Sequence, residues 1–374
     1  MESANRVVIT GDVLRANANG TPNQPLNIRW LYNLLHYPIS RALGSAKLEI
    51  VIWDDEGTLD GRRVYELCGL EPNEENWARL ATAEELPPGA VEYLSPFFRG
   101  AVVIGFELPD VLIRTFHALQ IDYVDLTIHP VRFLDDILFG VRTSIPEAFE
   151  VLKVRAVDED VFHIQAGLHK ATVSRMTPLP IPADSCLCVG QTRVDKSLVA
   201  QGRILSLLDY RDEVQRIIDR HSRTYFKPHP YAAGQEDVVR ALVELGDVEI
   251  TGENIYRLLA DEHITEVFGI SSSAIYEAAF FGKKGTYLYM NPLRLWDATR
   301  PSNFDPWVFV PVYDDLLSPR CWAELLARRL KVNTCPENRL APKASRLRIS
   351  LQSHWGYNFL DSELLLRNMT GERV

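Results

Sequence analysis

The stretch AVVIGFELPDVLIRTFHALQIDYVDLTIHP, residues 101–130, decides the fold. It opens with a short apolar run rich in β-branched residues, which Glu107 and Pro109 close. Residues 111–119 then carry apolar side chains at helical spacing, and residues 123–128 form a second β-type run. Two strands joined through one helix predict a parallel pair, because parallel strands need a crossover connection of about this length.

The same alternation extends upstream and stops downstream at a proline-rich segment. Upstream it predicts strands over Arg6–Thr10 and Leu48–Trp53, with a helix over Ile28–Ala42 between them. Downstream, Thr177–Pro182 holds three prolines in six residues. Proline at that density continues neither a helix nor a central strand, so this segment is predicted to be a stiff linker.

Beyond the linker the alternation of strand and helix restarts. The predicted strands are Cys186–Val189, Tyr225–Lys227, Val248–Thr251, Glu266–Gly269 and Gly285–Tyr289, and the predicted helices are Glu213–His221, Asp237–Leu245, Ile255–Asp261 and Ala274–Phe281. A length of 374 residues also favours two domains. The sequence therefore predicts an α/β protein with two Rossmann-like domains, residues 1–178 and 183–374, that face each other across a cleft.

Composition narrows the class of protein. The chain is 46% apolar and 24% charged, which is typical of a packed globular protein and excludes disordered and fibrous classes. Its net charge of -10 disfavours general nucleic-acid binding. Five cysteines without a CxxC pair indicate neither a disulfide framework nor a zinc site. Without a secretory signal or an apolar run long enough to span a bilayer, we expect a cytoplasmic protein.

One segment departs from the acidic average. Arg328–Arg348 carries seven Lys or Arg residues against one acid, Glu337. Such a run is a solvated surface face, or a patch that meets a phosphorylated acceptor or the anionic surface of the inner membrane. The second interpretation predicts a peripheral membrane contact.

Polar residues follow the predicted strands of the second domain, where ligands of open parallel sheets bind. Ser271–Ser273 precede a helix, so they predict a phosphate site or, for one serine, a simple helix cap. The other candidate ligands of an anionic nucleotide are the cations Lys227 and His229, the loop residues Gln191 and Thr192, Glu277 for a ribose hydroxyl, and Arg203, which is equally well a surface charge.

The first domain supplies acids. Asp54-Asp55-Glu56-Gly57 follows the second strand and predicts a general base or a solvated acidic turn. Asp125 lies inside an apolar strand, where it is either a structural acid bonded to backbone or a nucleophile in a double displacement. His129-Pro130 is interpreted as structural, and Asp158-Glu159-Asp160 as a polar turn rather than a metal clamp.

Together these motifs resemble the bacterial GT-B glycosyltransferases that use CMP-activated sugars. This group comprises the sialyltransferases and polysialyltransferases, and the Kdo transferases of capsule and lipopolysaccharide synthesis. The resemblance rests on the acidic turn before Gly57, on Lys-Pro-His-Pro at 227–230, and on the serine run whose helix carries Glu277 and is followed by Gly-Lys-Lys at 282–284. It spans roughly residues 5–310 and implies a GT-B fold, a CMP-sugar donor, and a glycan or glycolipid acceptor.

The resemblance also implies roles for individual residues. It makes Glu56 or Asp55 the general base, His229 the ligand of the donor phosphate, and Ser271 with Ser272 the phosphate cradle. Such enzymes need no metal for chemistry, because Lys, His and hydroxyl donors offset the charge on departing CMP, so neither a metal nor another cofactor is expected.

Several functions remain open at this point. The segment His129–Phe133 after an acid-bearing strand favours a Kdo transferase, retaining if Asp125 carries the glycosyl adduct. If Asp125 is structural, a single inverting displacement driven by Glu56 remains, as in sialyltransferases that use CMP-sialic or another nonulosonic acid. A UDP-sugar epimerase shares this architecture, and a two-lobed periplasmic-type binding protein is the non-enzymatic alternative.

Overall fold

The computed structural model describes residues 4–54, 57–193, 195–229, 236–290, 293–299, 303–335 and 343–354, apart from the side chains of residues 236, 353 and 354. The first part of the chain forms β1 (Arg6–Ile9), α1 (Pro25–Ala42), β2 (Lys47–Ile50), α2 (Gly61–Leu67), α3 (Glu74–Thr82), α4 (Pro88–Phe98), β3 (Ala101–Phe106), α5 (Asp110–Ala118), β4 (Asp122–Ile128), β5 (Phe139–Thr143), α6 (Pro146–Val154) and α7 (Glu159–Val173). The rest forms β6 (Ser185–Val189), β7 (Val199–Ala200), β8 (Arg203–Ile204), α8 (Arg211–Ile218), β9 (Arg223–Lys227), α9 (Glu236–Leu245), β10 (Val248–Ile250), α10 (Ile255–Ala260), β11 (Ile264–Gly269), α11 (Ser273–Ala278), β12 (Lys284–Tyr287), β13 (Arg294–Leu295), β14 (Val308–Val312), α12 (Pro319–Leu326) and α13 (Arg346–His354).

The first sheet has seven strands in the order β13-β14-β5-β4-β3-β1-β2. All neighbours are parallel except β5, which runs antiparallel to β4 and to β14. The predicted parallel pair of β3 and β4 is confirmed. The second strand is shorter than predicted, because β1 ends at Ile9 opposite Ile50 and leaves residues 51–53 as buried coil.

Period-two alternation explains why helices cover both faces of this sheet. Val7 and Ile9 pack into the core formed with α1, α6, α12 and α13, whereas Val8 packs into the core formed with α2–α5. Successive side chains of a strand point to opposite faces, so an unbroken apolar run requires a cover on each side. Buried valine and isoleucine side chains of this kind each contribute roughly 1.5–3 kcal/mol.

The second sheet has five strands, all parallel, in the order β10-β9-β6-β11-β12. Its strands alternate in the same way: Leu187 faces one core, and Cys186 and Cys188 face the other. All five cysteines are free thiols. Burial raises the pKa of Cys188, so this thiol is a small core residue.

After the second sheet the chain returns to the first. β14 pairs with β5, and β13 pairs with β14. α12 then packs against α1 and α6, and its Trp322 is fully buried. The sequence analysis assigned these residues to the predicted second domain, residues 183–374, and did not anticipate that they join the first sheet. The domain bounds themselves stay a prediction.

Both parts of the chain are therefore α/β structures with mostly parallel strands, as the sequence predicts. The GT-B arrangement of the two parts remains a prediction. Within the described ranges, none of the helices combines the length and apolar character that crossing a membrane requires.

Candidate functional site

A cavity of about 460 Å³ lies between the two sheets. From the first sheet it is lined by the segments that follow β3 and β4, and from the second by those that follow β6, β9 and β11. Carboxyl ends of parallel strands thus meet the cavity from both sides, which is the position of ligand sites in open α/β sheets. Five residues singled out in the sequence line it: Gln191, His229, Ser271, Ser272 and Ser273.

Hydrogen bonds between Ser271 and Gln191 connect the loop after β11 to the loop after β6. Gln191 Oε1 accepts from the Ser271 backbone N–H at 3.0 Å, and Ser271 Oγ donates to the Ser197 carbonyl at 2.7 Å. Ser271 is only 3% exposed. These contacts favour a positioning role for Ser271 over the predicted direct contact with phosphate.

Ser272 and Ser273 are more open to the cavity. Ser272 Oγ accepts from the Ala274 N–H at 3.4 Å and so caps α11, which is the alternative that the sequence left open for one serine. Both residues are half-buried and line the cavity.

His229 is held against the wall by a close backbone contact. A Cβ atom added to Gly190 would lie 3.3 Å from both Pro228 Cα and the His229 backbone nitrogen, so glycine permits this approach. Burial lowers the pKa of His229, Asp195 opposes the effect, and Arg132 contributes to it. A lowered pKa favours the neutral imidazole, which meets an anion as an N–H donor.

The remaining candidates of the second domain do not line the cavity. Arg203 is exposed and pairs with Asp209 at 2.8 Å, so its contacts fit the surface-charge alternative. Thr192 and Lys227 are half-buried, and burial lowers the pKa of Lys227. Their roles as donor ligands stay predictions.

Glu277 is buried away from the cavity. Its Oε1 accepts from the Arg132 backbone N–H at 2.7 Å and from the Tyr256 hydroxyl at 3.2 Å, and the residue is 2% exposed. Burial raises the pKa of Glu277 to about 7. These contacts join α11 to the segment that lines the cavity around Arg132, and they leave the predicted contact with a ribose hydroxyl without geometric support.

The predicted bases Asp55 and Glu56 lie outside the described residues. Their neighbour Asp54 pairs with Arg29 on α1. The Gly57 N–H donates to the Asp54 carbonyl at 3.1 Å. The catalytic role of the acidic turn stays a prediction.

Asp125 is buried in an ion pair with Arg142, a residue that lines the cavity. It is 0% exposed; its Oδ2 accepts from Arg142 Nε at 2.8 Å and its Oδ1 from the Leu108 N–H at 3.0 Å. Arg142 lines the cavity and covers the carboxylate. Both oxygens of Asp125 are thus occupied, which favours the structural alternative over the nucleophile.

Glu107 is a cavity residue that the sequence analysis treated only as the end of a strand. It adopts a left-handed φ of 54°, a conformation that costs a residue other than glycine about 1 kcal/mol or more. Its N–H donates to the Leu126 carbonyl at 2.8 Å, and its carbonyl accepts from Lys196 Nζ at 3.1 Å. Oε1 accepts from the Thr127 hydroxyl at 3.4 Å, and Oε2 lies 4.0 Å from Arg15 Nη1.

Lys196 is a second residue that the sequence did not single out. It lies in the segment after β6, and its Nζ donates to the Glu107 and Leu108 carbonyls, which follow β3. Burial lowers the pKa of Lys196; Arg142 adds to the effect, and Asp125 opposes it. Lys196 therefore joins the two halves of the cavity.

Two further motifs from the sequence analysis, His129-Pro130 and Asp158-Glu159-Asp160, make contacts that stabilise the local backbone. Nδ1 of His129 accepts from the Val131 N–H at 3.2 Å, and burial lowers the pKa of this histidine to about 3. Asp158 caps α7 by accepting from the Asp160 N–H at 2.9 Å. Among the described residues, no group of three His, Cys, Asp or Glu side chains could hold a metal ion. Metal independence stays a prediction.

The basic segment Arg328–Arg348 is described in part. Arg329 pairs with Asp122 at 2.6 Å, and Arg348 donates to the Arg132 and Leu134 carbonyls. Arg339 lies outside the described residues. At least two of the seven cations therefore hold the fold together, and the membrane contact stays a prediction.

Comparisons with known proteins give loose structural likenesses. No family model and no curated protein matches the chain. Two KpsC structures from Thermosulfurimonas dismutans, titled beta Kdo 2,7 transferase and beta Kdo 2,4 transferase, are 16% and 17% identical, with TM-scores of 0.33 and 0.31. The first likeness covers 63% of this chain and 80% of that one, and the second 50% and 68%. A dipicolinate synthase structure from Bacillus halodurans is 12% identical over 88% of this chain and 97% of its own, with a TM-score of 0.18. Likenesses with TM-scores this low assign no function, which has to come from the residues of the cavity.

Proposed function

We propose that this chain is a glycosyltransferase that moves Kdo from CMP-Kdo to a bacterial surface glycan of the capsule or lipopolysaccharide type. The proposal rests on one observation: hydroxyl and imidazole groups line the cavity from the second domain, and a carboxylate on strained backbone lines it from the first. Group transfer between an anionic donor and a hydroxyl acceptor needs these two kinds of group on opposite sides of the reacting carbon.

The second-domain wall suits the donor. A volume of about 460 Å³ lies within the range usual for small-molecule sites. His229, Ser272 and Ser273 offer N–H and O–H donors to the phosphate, and Arg132, which lines the cavity from the segment after β4 of the first sheet, adds a positive charge. CMP-Kdo carries a sugar carboxylate as well as a phosphate, so a cation beside the phosphate donors favours an ulosonic acid over a neutral sugar.

The first-domain wall suits the acceptor. In the proposed step, a Glu107 oxygen takes the proton of the acceptor hydroxyl as the acceptor oxygen attacks the anomeric carbon. The bond from that carbon to the phosphate oxygen breaks, and CMP leaves with the electron pair, stabilised by the donors around His229. The sequence-based candidates Asp55 and Glu56 compete with Glu107 for this role. Asp125 is left out, since Arg142 and Leu108 occupy its carboxylate.

Two experiments test the proposal, first nucleotide binding and then transfer of the sugar. We expect CMP to raise the melting temperature and UDP not to, because a ligand that binds only the folded state stabilises it. His229→Ala should lose most of that shift, whereas Arg203→Ala at the exposed ion pair with Asp209 should keep it. No stabilisation by CMP would overturn the proposal, and stabilisation by UDP alone would favour the epimerase.

Donor choice is then tested by transfer. CMP-Kdo made in situ and CMP-sialic acid are offered separately with a panel of glycan acceptors, and released CMP is measured beside the product. If product forms only from CMP-sialic acid, the donor sugar is a nonulosonic acid and not Kdo. CMP binding without release from either donor, over the whole acceptor panel, would contradict transfer of both sugars.

A further inference from the structure

Helix α7 has two apolar faces, and only one of them is covered. Phe162 and Ala166 are buried in the core of the second sheet, and His169 Nε2 lies 2.9 Å from the Phe133 carbonyl. On the other side Val161, Ile164 and Leu168 are 38%, 61% and 57% exposed. These exposures are unusual for side chains of this size on a helix whose opposite face is fully packed.

The exposed residues form a continuous stripe. Val161, Ile164, Leu168 and the exposed Ala171 follow one another at spacings of three, four and three, which places them along one side of the helix. The same spacing forms the seam of paired helices. A rise of about 1.5 Å per residue makes the stripe roughly 15 Å long.

We infer that this stripe is a self-association surface on which α7 of a second copy of this chain packs antiparallel. The charged residues at the two ends of the stripe indicate both the partner and the antiparallel orientation of its helix. The stripe is preceded by Asp160 and followed by Arg175, both exposed. In an antiparallel pair related by a two-fold axis, Asp160 of each copy lies within about one helical turn of Arg175 of the other. A parallel pair would set like charges together instead.

The same two-fold axis also pairs the apolar residues. Its centre falls midway between Val161 and Ala171, so Ile164 of one copy faces Leu168 of the other and Val161 faces Ala171. A stripe of this length buries less than the roughly 800 Å² per partner of a standard interface. The expected dimer is therefore weak and depends on protein concentration.

This surface bears on the cavity through the covered face of the same helix. Phe162 packs beside His129 with ring centroids 5.7 Å apart, and His169 contacts the Phe133 carbonyl. Between these two contacts lie Pro130 and Arg132, which line the cavity. A second copy on α7 would thus brace one wall of the site without supplying a residue to it.

Sedimentation equilibrium of the full chain between about 1 and 200 µM tests the inference, since this range spans weak association. We expect a monomer–dimer equilibrium, with a Kd at least tenfold higher in Ile164→Ser/Leu168→Ser. Asp160→Arg and Arg175→Glu should each weaken the dimer, and the doubly reversed chain should regain it. Lys170→Glu, half a helical turn away from the stripe, is the matched control and should leave the Kd unchanged. Thermal melts show that each variant is folded.

Three results would overturn the inference. The first is a wild-type chain that stays monomeric across the range, and the second is a charge-reversed pair that does not recover the dimer. The third is a monomeric chain that binds anionic phosphatidylglycerol vesicles and loses this binding in Ile164→Ser/Leu168→Ser. That result would make the stripe a lipid-facing surface instead.

Discussion

Asp125→Asn is the substitution that best separates a structural from a catalytic carboxylate. The wild-type side chain is fully buried and holds Arg142, whose side chain is 4% exposed. Removing one partner of a buried ion pair costs about 3–5 kcal/mol, because the other charge is left without compensation. Asparagine still accepts from the Leu108 N–H, so we expect a loss near the lower end, about 3 kcal/mol.

Differential scanning calorimetry measures that loss. In domains of 150–250 residues each kcal/mol shifts Tm by roughly 2–4 °C, so the variant should melt about 6–12 °C below wild type. Asp125→Asn/Arg142→Leu should recover part of the loss, since it also removes the stranded charge. At temperatures where the single variant is folded, transfer should persist.

The opposite pattern would refute this reasoning. An unchanged Tm together with abolished transfer, and a glycosyl adduct on Asp125 of the wild-type chain by mass spectrometry, would make Asp125 the nucleophile of a retaining mechanism. The anomeric configuration of the product gives an independent test. A single displacement at the anomeric carbon, with Glu107 as the base, inverts the configuration, whereas a double displacement through Asp125 retains it.

Two further predictions concern the walls of the cavity, and a third concerns the buried carboxyl group of Glu277. Glu107→Gln should lower kcat by about 10²–10⁴ with CMP binding unchanged, and a kcat within a few-fold of wild type would exclude it as the base. Gly190→Ala should raise the donor KM, since a Cβ there crowds the Pro228–His229 backbone, whereas Gly167→Ala, which meets open space, should not; equal KM values would remove the packing argument. Burial raises the pKa of Glu277 to about 7 from its ordinary 4.5, so the folded chain holds this proton more tightly than the unfolded one. The stability that this group contributes below about pH 4.5 is then lost as pH rises to about 7, by roughly 3 kcal/mol. Glu277→Gln should flatten that decline in urea unfolding, and an unaltered profile would contradict the assigned cause.

Sequence patterns predicted the parts of the fold that depend on local periodicity. β3 begins and ends at the predicted residues, and β4 and α1 differ from prediction only at their N-terminal ends. Apolar alternation and turn residues are local properties, so one sequence carries them in full. Strand ends can also be ranked for polarity, which is why the sequence alone predicts a ligand-facing position for Gln191 and His229, and both line the cavity.

Pairings between distant segments were beyond the reach of that approach. β14 joins the first sheet beside β5 about 170 residues later in the chain. Asp125 could be recognised as an acid in an apolar strand, but its partner could not, because Arg142 faces it only through the antiparallel register of β4 and β5. Without that register, a structural acid and a nucleophile have the same sequence signature.

Glu107 shows why a site residue of this kind is hard to find in sequence. The sequence Phe106-Glu107-Leu108-Pro109 gives no sign of the positive φ at Glu107, because glycine is the residue usually associated with that conformation. The structure maintains it with hydrogen bonds to the backbone on both sides of the residue, one from its N–H to Leu126 and one from Lys196 to its carbonyl. The second bond comes from the segment after β6, so contacts from both sheets hold the backbone of this residue. A carboxylate whose backbone is held by contacts from both sheets is preorganised, which is what the proposed proton transfer to Glu107 requires.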